Sequence, residues 1–178
     1  MIARLIFGWT RKHTSREQAS MNFALRKNEI VQLVRGCNAN SGGQRVLIAR
    51  LRGLEDSSRY WSLFMTLDHL RIVNDSIAGA VTSLVSGKVP PRAASTAEVK
   101  PNPKSDASII ATFEQSCSQF EQAIAAFPNL STPTKYTHPW FGPIDAAGWH
   151  VMAGFHMNLH LKQIQNILSH LASNAQGR

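Results

Sequence analysis

Two histidines stand one helical turn apart near the end of the chain, His156 and His160. On a helix a four-residue step turns by a net of about 40°, so both imidazoles leave the same face. That spacing lets two rings reach one metal ion, as in other helical His-x-x-x-His pairs. The chain has seven histidines, of which His150 and His170 lie on the same predicted helix but point elsewhere. His13 and His138 fall outside the row. The pair shares a stripe with Trp149, Met152 and Gln163, apolar enough to be an inner face. A buried imidazole still has a donor and an acceptor to satisfy, so its presence there needs a reason.

His69 is the third candidate, four residues after Met65 and three before Ile72 in the same kind of core-facing row. Three imidazoles meeting from two helices would hold a divalent ion with positions left open. Such a site suits catalysis better than structural zinc, which four protein ligands usually close. Ordinary hydrogen-bonded core histidines are the alternative, and the residues alone leave both readings open. No acid lies within one turn of His156 or His160, so the Glu-x-x-His pattern of di-iron bundles is not met. Gln163, one turn after His160, could orient a ligand or water. Trp61, Met65, Trp149 and Met152 could wall a pocket, with plain core packing as the alternative. Asp68 points about 100° away from His69 and is not cast as a base. Cys37 and Cys117 read as small buried hydrophobes.

The elements that must carry these residues are helices. All eight prolines fall in two windows, Pro90–Pro103 and Pro128–Pro143. Proline breaks helix interiors, so the windows read as connections. The breaker cluster Asn38–Gly43 interrupts the first block. Four long helices are expected, near 16–37, 58–86, 107–127 and 146–173, with Ser57-Ser58, Asp106 and Asp145 as candidate N-caps and Gly87 as a stop. Residues 44–55 read as a short helix or an irregular segment. Apolar residues recur at helical spacing and no alternating run argues for a sheet. The fold class is all-α, a four-helix bundle with a long crossover connection between the second and third helices. One domain is expected over 1–178, with a basic N-terminal extension at 1–15 and a Pro-rich connection at 88–105, part of it disordered.

At 178 residues the chain can bury a core without disulfides. Its two cysteines fit a reducing, cytoplasmic setting. No membrane span and no secretory leader is read from the sequence. The net charge of +8 is concentrated in residues 1–60, which hold 11 Lys/Arg against four acids. A basic segment can meet phosphates. Without aromatics interleaved for base stacking, and without a recognisable nucleic-acid motif, a solvated face is the better reading.

Two segments resemble the DinB-like proteins (DinB/YfiT type), metal-binding four-helix bundles. Ser58-Arg-Tyr-Trp-Ser-Leu-Phe-Met-Thr-Leu-Asp-His-Leu70 resembles that family's second helix with its single metal histidine. His138-Pro-Trp-Phe-Gly142, followed by His156-x-x-x-His160, resembles the lead-in of one uncharacterised subgroup. The resemblance implies His69, His156 and His160 as metal ligands. It implies a divalent ion, zinc first and nickel or iron next, and a metal-dependent activity on a thiol or water, of the S-transferase or hydrolase class. A low-molecular-weight thiol or other small molecule would be the partner, and a homodimer is plausible. The alternatives are a non-catalytic metal-binding or interaction protein and a basic nucleic-acid-associated bundle.

Overall fold

The computed structural model describes residues 2–37 and 39–176. Helix α1 spans Ile2–His13, α2 Arg16–Arg35, α3 Ala39–Gly43, α4 Leu63–Val85, α5 Ile109–Ala125 and α6 Ala146–Gln176. A 3₁₀ turn occupies Asp56–Ser58. Strands β1 (Tyr136–His138) and β2 (Gly142–Ile144) pair antiparallel, with Thr137 opposite Pro143. The absence of alternation hid this hairpin, because three-residue strands are too short to show a period. Gly142, at φ 75°, supplies a backbone conformation that side chains disfavour.

The bundle is α2, α4, α5 and α6, and its packed pairs are α2–α6, α6–α4, α4–α5 and α5–α2. Three of the four bundle helices start where a side chain satisfies an orphan N–H group; α5 starts after Ser108 without such a cap, Asp106 accepting the Ser108 N–H instead. Ser15 accepts from the Gln18 N–H while the Gln18 side chain returns to the Ser15 N–H, a capping box opening α2. Asp145 accepts the Gly148 N–H at 2.9 Å at the start of α6. α4 begins later than expected: Ser62, not Ser57-Ser58, accepts the Met65 N–H. The preceding segment stays irregular because residues 46–48 bond instead to 59–61, through Val46 N–H to Trp61 O and Ile48 N–H to Arg59 O. His69 therefore sits in the second turn of α4.

Helix α5 buries Ile109, Phe113, Cys117, Phe120 and Ile124, residues at helical spacing. Phe23 of α2 meets Phe120 at 4.3 Å between ring centroids. Burying these faces supplies most of the driving force, at about 25 cal/mol per Å² of apolar surface. The first residues form a helix rather than a mere extension. Phe7 is buried and stacks on Phe141 of the hairpin at 4.4 Å, and Arg11 pairs with Asp145. The Pro-rich link from α4 to α5 has no regular structure, yet it is tied down rather than loose. Asp68 accepts the Asn102 N–H at 2.7 Å, Pro101 is buried, and the Tyr136 hydroxyl donates to the Arg92 carbonyl. No helix among the described residues is long and apolar enough to cross a membrane.

Candidate metal centre

The α4–α6 contact brings His69, His156 and His160 together. One ring nitrogen from each lies within 4.8 Å of the other two, and they are the one such group of His, Cys, Asp or Glu among the described residues. Ring centroids are 4.9 Å (His69–His156), 4.6 Å (His69–His160) and 4.4 Å (His156–His160) apart. His69 and His156 approach through their Nε2 atoms at 3.0 Å.

The outer partners decide which nitrogen of each ring is available. The His69 Nδ1–H donates to the Val99 carbonyl at 2.6 Å. The His160 Nδ1–H donates to Gln163 Oε1 at 2.6 Å. Gln163 is itself fixed, since its Nε2 donates to the Ser58 carbonyl at 2.8 Å. With the proton held on Nδ1, a neutral ring presents its lone pair at Nε2. Burial pushes all three imidazoles below their usual pKa, His156 and His160 strongly; the neighbouring histidines add to the lowering of His156 and His160, whereas the Val99 hydrogen bond and the Glu55 and Asp68 charges oppose that of His69. Neutral rings with lone pairs facing one point are what a metal needs, and an N–H bonded to a carbonyl is the usual outer support of a ligating histidine. His156 departs from this pattern: its buried Nδ1 has no partner. The three residues fit a divalent ion on the strength of that donor set.

The histidines open onto a cavity of about 730 Å³. Trp61, Trp149 and Met152 line it. The Trp61 indole lies 5.1 Å from the His69 ring and parallel to His160. Met65 is buried but is not part of this wall, and Gln163 acts behind His160 rather than on the cavity. Asp68 is no base in the site; it anchors the link that carries Val99, and Arg71 donates to it as well. His150 turns away to Ser20, and His170 is exposed. Cys117 is no nucleophile, since burial pushes its thiol up to about 12.

Sequence reasoning missed His138. It lines the cavity, stacked on Phe141 at 4.7 Å and packed against Trp149. Its Nδ1 accepts the Trp140 and Phe141 N–H groups at 3.1 and 3.3 Å. The neutral ring therefore carries its proton on Nε2, the reverse of His69 and His160. Burial lowers it to about 4, so it is neutral at pH 7. The tight His-Pro-Trp-Phe-Gly turn was the signal available, since it returns two backbone N–H groups to the ring that opens it.

Comparisons with known proteins bear on the scaffold. The crystal structure of TT2238, a four-helix bundle protein, is similar with a TM-score of 0.59 at 21% identity, over 85% of this chain and 98% of that one. That likeness concerns the fold. No curated protein matches the chain. The family model of the DinB superfamily matches residues 26–164, a stretch that runs from α2 through all three converging histidines, and the chain belongs to that superfamily.

Proposed function

We propose that the protein is a divalent-metal-dependent enzyme in which His69, His156 and His160 hold the ion, zinc first and nickel or iron next, for activation of a thiol or a water. The observation that carries the reading is the convergence of three neutral imidazoles, two with their Nδ1–H groups already committed, on the wall of a cavity. A divalent ion there would lower the pKa of a coordinated water or thiol toward neutrality. The chain's own residues do the rest. Val99 and Gln163 hold two rings in the ligating tautomer, and Trp61 shields them from bulk water. A purely structural staple would call for four protein ligands and a closed site, whereas this triad opens onto space for a small molecule.

Protein purified without a nickel resin should carry about one divalent ion per chain by elemental analysis, and His156→Ala should lose it. Consumption of low-molecular-weight thiols by simple electrophiles, or hydrolysis of activated esters, should follow ion content. A wild-type chain that takes up no divalent ion would sink the proposal.

A further inference from the structure

The cavity extends far beyond what a coordinated water or a small thiol needs. Along α4 its wall runs from His69 through Val73, Ser76, Ile77, Gly79 and Ala80 to Ser83. The fourteen steps from His69 to Ser83, at a rise of about 1.5 Å each, make an arm about 21 Å long. The opposite wall is the Pro-rich link, where Pro90, Ala94 and Val99 alternate with the charged Arg92, Glu98 and Lys100, and the hairpin closes the side with Tyr136 and His138. The walls are mainly apolar, and the volume of about 730 Å³ lies within the roughly 300–1,000 Å³ of small-molecule sites. Gly79 is a solvent-accessible position on this wall, and a Cβ built on it would meet no atom within 4 Å, so a larger side chain could stand there.

We propose that the site takes an elongated, largely apolar small molecule, its reactive head at the three histidines and its chain laid along α4 beneath the Pro-rich link. The proposal rests on the metal reading only for the position of the head. The link is already fastened to α4 by Asp68 and to the hairpin by Tyr136, so the arm is preformed rather than assembled around its guest. Each methylene that enters apolar walls contributes up to about 0.8 kcal/mol, a roughly fourfold gain in affinity per carbon, reduced where the arm stays open to solvent.

The test is a titration of zinc-loaded protein with straight-chain alkyl hydroxamates, from acetohydroxamate upward. Affinity should rise about two- to fourfold per added carbon and then level off when the arm is full. Gly79→Leu places a side chain in the arm and improves helix propensity, so the variant should fold. It should weaken the longest members at least about tenfold and leave acetohydroxamate unchanged. A second measurement needs no ion: linear alcohols should displace dansyl-undecanoic acid from chelated protein with the same length dependence. Failure of acetohydroxamate to bind would count against the metal reading while the alcohol series still tests the arm. Affinity that is flat with chain length in both series, or long-chain binding untouched by Gly79→Leu, overturns the elongated ligand.

Discussion

At the scale of single residues, the three histidines differ in how firmly they are held. His160 is fixed by Gln163, which is fixed in turn by Ser58, while His156 has no partner on its buried Nδ1. Outer partners of this kind are worth about 10- to 100-fold in metal affinity. Gln163→Leu keeps the volume and removes the acceptor. It should weaken metal binding by about that factor in a competition titration with a chelator, with the helical circular dichroism signal retained. Unchanged affinity would show that packing alone orients the His160 ring. The His-x-x-x-His pair was legible because both residues share one helix and one register. Gln163 was legible as a neighbour one turn on, but its role was not, since its second partner, Ser58, is 105 positions away in sequence.

At the scale of elements, the Pro-rich link behaves as part of the site. It was expected to be partly disordered because prolines and small polar residues carry no periodicity. The contacts that order it, Val99 to His69 and Asn102 to Asp68, join residues 30 and 34 positions apart, and nothing in local sequence announces them. The four bundle helices were legible from their helical apolar spacing and from the breakers between them, but of the candidate caps only Asp145 serves its helix. The hairpin and the late start of α4 were not, because both depend on pairing between irregular segments. Asp68→Ala removes the acceptor for the Asn102 N–H and for Arg71. Loss of such a buried acceptor costs about 1–3 kcal/mol. Hydrogen exchange at the Asn102 amide should accelerate, and metal affinity should fall with it as Val99 loosens. Exchange at Asn102 that matches the wild type would mean the link is held by its prolines instead.

Across the whole molecule, part of the positive charge toward the N-terminus finds partners within the fold. Lys27 and Arg35 of α2 pair with Glu121 and Glu114 of α5, and Arg16 donates to the Ile124 and Pro128 carbonyls at the end of α5. Basic α2 and acid-bearing α5 are packing neighbours, which supports the solvated-face reading over a nucleic-acid surface. His150 makes the α2–α6 contact sensitive to acid. Burial, with the nearby Arg16 charge adding to it, lowers its imidazole to about 4 from an ordinary 6.5. Between those values the unfolded chain binds the proton that the folded one refuses, so this contribution is intact above 6.5 and drains away as pH falls toward 4. The difference is at most roughly 3 kcal/mol. Urea unfolding at pH 7 and pH 4.5 should show His150→Gln losing less stability on acidification than the wild type. Equal losses would move the acid sensitivity to other groups.

Val99 belongs at once to the wall of the long arm and to the fastening of the His69 ring. Any lineage that redrew this segment to admit a differently shaped guest would also disturb how its ion is held, so the two traits cannot drift apart there. Innovation in specificity should instead accumulate at Ser76, Gly79 and Ser83, solvent-accessible positions that line the cavity farther along α4 from the three converging rings.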